Sequence, residues 1–156
     1  MGLVGLTYST YKTYQTYQTS FRYTAYHMLK VLVFGTFDHL HPGHRFLLTE
    51  ASSRGDLHVV IARDQNVEKI KGHVPDQSEE ERLRMIQKAF PSSHPVLGDP
   101  DDFLVPVHTI KPDLILLGYD QRLPPGVTEK DLPCPMERLP AFEPEKWKSS
   151  FRRSSS

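Results

Sequence analysis

The feature that most constrains the fold is an apolar segment that ends in glycine and leads at once into a predicted helix start. Residues 29–34 are apolar apart from one lysine, Gly35 follows them, and Pro42 stands where the helix should begin. Proline suits a first helical turn, because the N–H that it lacks would have no intrahelical partner there. A strand, a glycine turn and a helix in this order form the repeating unit of parallel α/β sheets.

Two histidines, His41 and His44, lie three residues apart at this helix start. Side chains at that spacing share one face of a helix, so both imidazoles can face the same point. The free N–H groups of a helix N-terminus bind anions, and Gly43 lets a phosphate approach the backbone closely. We therefore predict a phosphate-handling site with His41 and His44 as catalytic residues. Two alternatives stay open, a pair of plain surface histidines and a metal site made of Asp38, His39, His41 and His44.

The turn between the strand and the helix completes the predicted nucleotide-binding set, which is Gly35, Thr36, Phe37, Asp38 and Gly43. Backbone N–H groups of this turn, or the Thr36 hydroxyl, can bind phosphate oxygens, whereas the Phe37 ring is expected in the core. A carboxylate repels phosphate at neutral pH. Asp38 is therefore expected to orient a histidine or a metal, or to cap the helix.

The remaining sequence alternates strand and helix patterns, which predicts a single Rossmann-like, doubly wound parallel sheet. Ser78 followed by Glu81 is a capping box that opens one of the helices. The predicted strands after the first are 57–62, 96–97, 114–117 and 136–139, and the predicted helices are 42–53, 78–89 and 101–110, the last interrupted near Pro106. In such folds ligands bind at the carboxyl ends of the strands.

Two lysines, Lys69 and Lys71, lie in a predicted loop that leaves the second strand at that edge of the sheet. A triphosphate needs positive charge around it, so both lysines are predicted to be catalytic. The alternative is that they are ordinary solvated lysines. Arg82 and Arg84 are expected on a solvated helix face, together with acidic neighbours.

The segment after the fourth strand supplies further candidates, because Gly118 and Asp120 sit where a nucleotide ribose or base would lie. Tyr119 between them can stack on a base. Near the chain end, Lys148, Ser149 and Ser150 follow Trp147 and are predicted to hold the outer phosphates at a helix start.

Composition fits one globular domain of 156 residues, with 38% hydrophobic and 24% charged residues. Nineteen basic and nineteen acidic residues cancel, so no overall field attracts nucleic acid or a membrane surface. The one cysteine, Cys134, excludes an internal disulfide and fits a reducing cytoplasm. No apolar stretch reaches the roughly 18 residues of a membrane helix.

Residues 1–28 differ from the remainder, since Thr-Tyr recurs there every three residues and six of the seven tyrosines fall in this stretch. A three-residue repeat matches neither helical nor strand periodicity. We expect a disordered tail ahead of a domain at 29–156, with a start-site artefact and true initiation at Met28 as the alternative.

The combination of Gly35-Thr-Phe-Asp38 with His41-Pro-Gly-His44 resembles the HxGH nucleotidyltransferases of the cytidylyltransferase-like superfamily. Segments 62–64, 69–72, 117–121 and 147–150 are most similar to archaeal-type FAD synthases. This resemblance implies transfer of AMP from ATP to FMN, with release of pyrophosphate. It also implies a divalent cation, Mg²⁺, that is bound with the triphosphate and takes no assigned protein ligand, and a possible homodimer.

Two other functions stay open within the resemblance: a glycerol-3-phosphate cytidylyltransferase that uses CTP, and a nucleotide-binding module without turnover. The sequence departs from the pattern at Trp147, where a tyrosine is usual, and at Phe90, where cytidylyltransferases carry a nearby arginine. Arg138 lies several residues too early to match their arginine ahead of the final serine motif. These departures disfavour glycerol 3-phosphate as the acceptor.

Overall fold

In the computed structural model, which describes residues 28–141, five strands form one parallel sheet in the order β3-β2-β1-β4-β5. The strands are β1 (Lys30–Gly35), β2 (Asp56–Ile61), β3 (His94–Leu97), β4 (Leu114–Leu117) and β5 (Met136–Arg138). The chain adds strands to one side of β1 and then crosses to the other side, so the strand order reverses between β1 and β4. This confirms the predicted Rossmann-like sheet, and it makes the carboxyl ends of β1 and β4 the expected place for a ligand.

Four α-helices connect the strands: α1 (Pro42–Arg54), α2 (Asp64–Lys71), α3 (Glu79–Ala89) and α4 (Leu104–Ile110), and a short 3-10 helix covers Glu129–Asp131. The predicted capping box is present, because Ser78 and Glu81 each accept a backbone N–H of the other. Pro106 does not interrupt α4, since it lies in the first turn, where a missing N–H leaves no hydrogen bond unmade. Within the described residues no helix is long and apolar enough to cross a membrane.

Buried side chains cover both faces of the sheet, as a doubly wound fold requires. Val31 and Val33 of β1 pack with α1 and α3 on one face. Leu32 and Phe34, which alternate with them along the strand, pack with Val107 of α4 on the other. All four residues of β4 are buried, which fits its uninterrupted apolar sequence.

The segment that was predicted as a loop around the two lysines is instead the helix α2, so that prediction is wrong. Val67 is its one buried residue, and Ile70 is 59% exposed. One buried position in eight residues gives too weak an apolar periodicity to indicate a helix. The helix ends at Gly72, whose φ of 82° is a left-handed conformation that favours glycine.

Candidate nucleotide site

The turn after β1 brings the two predicted histidines into direct contact. The rings of His41 and His44 stack with centroids 3.6 Å apart and an interplanar angle of 21°. The buried ring of Phe37 meets His44 edge-on at 5.2 Å and fixes it from below. The phenylalanine side chain therefore lies in the core, as predicted, and supports the His44 ring by packing against it.

His41 is the N-cap residue of α1. Its Nδ1 atom accepts the backbone N–H of Gly43 at 3.1 Å and that of His44 at 3.3 Å. A neutral imidazole that accepts through Nδ1 carries its proton on Nε2, on the far side of the ring. Burial lowers the pKa of His41, and the charge of Asp120 opposes this, so the capping tautomer is favoured.

His44 lies deeper, and its Nδ1 atom is buried with no hydrogen-bond partner among the described residues. Burial, together with the proximity of His41, lowers the pKa of His44 to about 4, while a backbone contact with His39 acts the other way. Both histidines are therefore neutral in the free protein at pH 7, and two stacked rings so close together could not carry two charges cheaply.

Space is tight at two glycines around this pair, where a Cβ atom would require a small shift of a neighbouring ring. A Cβ atom at Gly43 would lie 3.0 Å from His41 Cε1, and one at Gly35 would lie 3.1 Å from the Phe37 ring. The sequence explains Gly43 through close phosphate approach, and the structure adds that the capping imidazole already occupies the space of a side chain.

Asp38 binds the segment ahead of α3 instead of capping α1. Its two carboxylate oxygens accept the backbone N–H groups of Asp76 at 2.9 Å and Gln77 at 3.0 Å. Burial acts to raise the pKa of Asp38, but these two hydrogen bonds, together with the charges of His39 and Arg82, lower it overall. The predicted capping role for Asp38 is thus wrong, because the His41 side chain occupies the cap.

The four-residue metal site that the sequence left open does not form. Asp38 and His39 gather with Asp76, whose carboxylate lies 3.0 Å from His39 Nε2, while the other two histidines stack on each other. Each oxygen of Asp38 already accepts one backbone N–H group, so a cation at this cluster would have to share them.

Arg82 is fully buried, which contradicts the prediction of a solvated arginine, whereas Arg84 is exposed as expected. The Arg82 guanidinium donates to the backbone carbonyls of Thr36 at 2.7 Å and Gln77 at 3.1 Å, and to the Asp64 carboxylate at 2.5 Å. It therefore joins the turn after β1, the segment before α3 and the start of α2. Sequence reasoning missed it, although Arg82 lies four residues before the buried Ile86 and so shares its face of α3.

Of the two predicted lysines, the structure brings Lys71 to the turn. Its Nζ atom donates to the Thr36 hydroxyl at 3.3 Å. Lys69 makes no such contact within the described residues, because residues two apart on a helix point about 200° away from each other. The helix that the sequence did not predict is therefore what separates the two lysines.

The turn after β4 forms the other wall of the site. Gln121 Nε2 donates to the Phe34 carbonyl at 2.5 Å, and its Oε1 accepts the Gly118 N–H at 3.2 Å. This side chain bridges the ends of β1 and β4 beyond their last paired position, Leu32–Ile115. Neighbouring protein atoms do not demand glycine at 118, since the nearest atom to a Cβ there would be 3.9 Å away.

Arg138 of β5 fixes this second turn from the surface. Its Nη1 atom donates to the carbonyls of Gly118 at 3.1 Å, Tyr119 at 3.4 Å and Gln121. Tyr119 and Asp120 are thereby left exposed above the turn, and Asp120 is near enough to His41 to affect its pKa. Gln121 and Arg138 are positioning residues; from sequence, Gln121 has no assigned role within its matched segment, and Arg138 is set aside as lying too early. Lys148, Ser149, Ser150 and the preceding Trp147 lie outside the described residues.

Comparison with known proteins identifies the family of this fold and site. The family model described as cytidylyltransferase-like matches residues 32–133. The FAD synthase of Natronomonas pharaonis is 46% identical over 121 residues, which is 73% of this chain and 84% of that protein. The FAD synthase of Methanosarcina mazei is 43% identical over 120 residues, which is 72% of this chain and 78% of that protein.

A solved structure agrees with the architecture. The lipopolysaccharide core biosynthesis protein from Thermoplasma volcanium is 31% identical and superposes with a TM-score of 0.65. The match covers 75% of this chain and 100% of that protein.

Proposed function

The chain belongs to the cytidylyltransferase-like family, among its FAD synthases, and we propose that it transfers AMP from ATP to FMN to give FAD and pyrophosphate. The observation that carries the proposal is the stacked pair of His41 and His44 at the N-terminus of α1, at the switch point between β1 and β4. His41 caps the N–H groups of Gly43 and His44, so the groups offered to the triphosphate are the two imidazoles at the positive end of the α1 dipole.

The reaction is a phosphoryl-centred displacement. A phosphate oxygen of FMN attacks the α-phosphorus of ATP in line, and a new P–O bond joins the two phosphates. The bond from the α-phosphorus to the bridging oxygen breaks, and its electron pair leaves with pyrophosphate. The protein has little covalent work to do, so it acts by positioning the reactants and stabilising the charge that develops.

The histidines act in this scheme as fixed hydrogen-bond donors. His41 caps α1 through Nδ1, which leaves its Nε2–H to donate to the phosphates. Both imidazoles are neutral in the free protein, and the negative charge of bound triphosphate raises the pKa of each. They therefore become better stabilisers of the α- and β-phosphates as the substrate binds.

The remaining predicted residues receive roles that follow from their positions. Lys71 supplies positive charge beside the Thr36 hydroxyl, toward the leaving pyrophosphate. We assign Lys69 and the terminal set Lys148, Ser149 and Ser150 to the outer phosphates on the resemblance alone. A divalent cation, Mg²⁺, enters with ATP as part of the substrate, because it binds mainly through the triphosphate oxygens and keeps several of its waters.

Recognition of the base falls to the turn after β4. Tyr119 is 41% exposed and offers an aromatic face, and Asp120 offers oxygen acceptors for ribose hydroxyls or the adenine amino group. Stacking contributes about 0.5–1.5 kcal/mol beyond burial, so hydrogen bonds to the base edge must supply most of the discrimination.

The test incubates the full chain with Mg²⁺, either ATP or CTP, and either FMN or glycerol 3-phosphate, and separates the products by chromatography. We expect FAD and pyrophosphate with ATP and FMN alone. His41→Ala and His44→Ala should each lower turnover by roughly 100-fold, as for the loss of one fixed donor. The exposed His108→Ala, on the far helix α4, is the matched control and should stay near wild type.

Other outcomes would replace the proposal. CDP-glycerol as the main product would assign the chain to the cytidylyltransferase alternative. Tight ATP binding without pyrophosphate release for either acceptor would make it a binding module. A cytoplasmic location and a homodimer remain predictions, to be checked by cell fractionation and by light scattering.

A further inference from the structure

A second cluster of metal-ligand side chains lies at the amino ends of the strands, opposite the carboxyl ends that form the nucleotide site. Asp56 and His58 stand at the amino end of β2, and His94 opens the neighbouring strand β3. One ligand atom from each residue lies within 4.8 Å of the other two. We propose that Asp56, His58 and His94 bind a divalent transition-metal ion of the zinc type.

The sheet itself brings the three side chains together. Residues two apart on a strand point to the same face, so Asp56 and His58 project side by side from β2. His94 is the partner of His58 in the parallel register between the two strands. The rings of the two histidines stack with centroids 4.6 Å apart and an interplanar angle of 25°. All three donors thus come from hydrogen-bonded strand backbone, which is a rigid support for a metal site.

The distances suit a small divalent ion. His58 Nε2 lies 3.2 Å from one Asp56 oxygen, and His94 Nε2 lies 3.0 Å from the other. Ligands bound tetrahedrally at roughly 2.0–2.2 Å are separated by roughly 3.3–3.6 Å, so a modest opening of these contacts admits the ion. Two imidazoles and a carboxylate form a ligand set that zinc and its neighbours in the first transition series prefer over calcium or magnesium.

The surroundings of the cluster also favour a metal. Lys30 is near enough to His58 for its charge to act on the imidazole. The Lys30 ammonium donates to the Ile110 carbonyl at 3.2 Å, so part of its charge is satisfied away from the cluster. His94 is half exposed, which leaves a route for the ion and room for water as a further ligand.

Such an ion would secure an edge of the sheet. β3 has four residues, includes Pro95, and within residues 28–141 pairs with β2 alone. A metal bridging His94 to two residues of β2 would couple this short edge strand to the centre of the fold, so metal binding would add to the folding free energy.

The test titrates Zn²⁺ into the full chain, without a polyhistidine tag, by calorimetry, and repeats the titration with Co²⁺ while recording its visible absorption. We expect one site per chain and a Co²⁺ spectrum typical of a nitrogen- and oxygen-ligated site. His94→Ala should weaken binding by roughly 100-fold, because even loss of an outer-shell partner costs 10–100-fold. The control His108→Ala should bind as wild type does.

A thermal melt gives a second readout. Zn²⁺ should raise the Tm of the wild type and of His108→Ala, and should leave that of His94→Ala unchanged. Asp56→Asn, which keeps the side-chain shape, should lose the shift as well. Equal Zn²⁺ affinity in the wild type and His94→Ala would overturn the proposal. So would the absence of binding at roughly 1 mM Zn²⁺, a concentration that fills even weak extracellular calcium sites.

Discussion

The turns that follow β1 and β4 lie side by side at the switch point, yet they are held in different ways. The turn after β1 contains two non-glycine residues with positive φ, Phe37 and His39, both at 54°. It is held from within the protein by the buried guanidinium of Arg82. The turn after β4 is held by Gln121 at its base and by the exposed Arg138 from outside.

The two turns are held differently because they contact different parts of the nucleotide, the phosphates at the β1 turn and the base at the β4 turn. Phosphates are the same in every nucleoside triphosphate, and donors that stabilise charge work best when they are fixed before the substrate arrives. Backbone in a sparsely populated conformation persists only where its surroundings hold it firmly, which Arg82 does. The β4 turn carries the exposed Tyr119 and Asp120, which can adjust to the base. We therefore expect substitutions behind the first turn to change stability and turnover together, and those behind the second to change substrate affinity.

The largest effect is expected at Arg82. Arg82→Leu removes three hydrogen bonds and takes the guanidinium away from Asp64, which keeps its contact with the Glu79 N–H. This should cost about 3 kcal/mol in unfolding free energy, since Asp64 remains partly solvated. Turnover should fall with it, because Thr36 loses its anchor. The matched control Arg84→Leu, exposed on the same helix, should stay within about 0.5 kcal/mol. Urea denaturation measures both, and equal stability of the two variants would mean that the first turn needs no internal support.

The next effect is a pH dependence due to His44. Its pKa is about 4 in the folded state against about 6.5 unfolded. Between those values the unfolded chain binds more protons, so stability is lost as the pH falls from 6.5 toward 4. Between pH 7.5 and pH 5, His44 accounts for a loss of unfolding free energy on the order of 2 kcal/mol.

His44→Gln should abolish the loss of unfolding free energy that is due to His44 and so flatten the dependence of unfolding free energy on pH. His41 and His58 contribute in the same direction and remain in the variant. An unchanged slope in His44→Gln would show that this imidazole is not desolvated in the folded protein.

A smaller effect separates the two lysines of α2. Lys71→Ala should lower kcat/KM for ATP by roughly tenfold, because a positive charge beside the triphosphate is lost. Lys69→Ala, whose side chain points away from the turn in the free protein, should lose less than Lys71→Ala does. Similar losses in both variants would indicate that α2 turns or unwinds when nucleotide binds.

The smallest effect on the fold is expected at Arg138. Arg138→Ala should raise the KM for ATP by about fivefold, while the unfolding free energy stays within about 0.5 kcal/mol, as for most surface changes. Steady-state kinetics and a urea titration give the two numbers. A large loss of stability here would erase the contrast between the turns, because the second would then depend on its anchor as strongly as the first.

Those parts of the fold that depend on local pattern were predictable from the sequence. The apolar run of β4, the capping box of α3 and Pro42 at the start of α1 each act through neighbouring residues, and each is present in the structure. The phosphate-site prediction for His41 and His44 also came from local spacing, and the structure places their rings in contact.

The remaining parts depend on partners distant in sequence. Asp38 binds backbone nearly 40 residues away, and Gln121 reaches Phe34 across 87 positions, with nothing local to indicate either contact. Arg82 sits in the apolar stripe of α3, a signal that its acidic neighbours obscured. The helix α2 escaped prediction because it buries only Val67.

The two ring nitrogens of His41 have separate roles, Nδ1 in capping α1 and Nε2–H in contacting phosphate, so a substitution can remove one role and keep the other. Asparagine is among the best N-cap residues, and its short side chain reproduces what Nδ1 does for α1. It has no counterpart to the imidazole Nε2–H. His41→Asn thus offers a catalytically silenced scaffold that keeps its helix intact, suited to trapping both substrates together for crystallography.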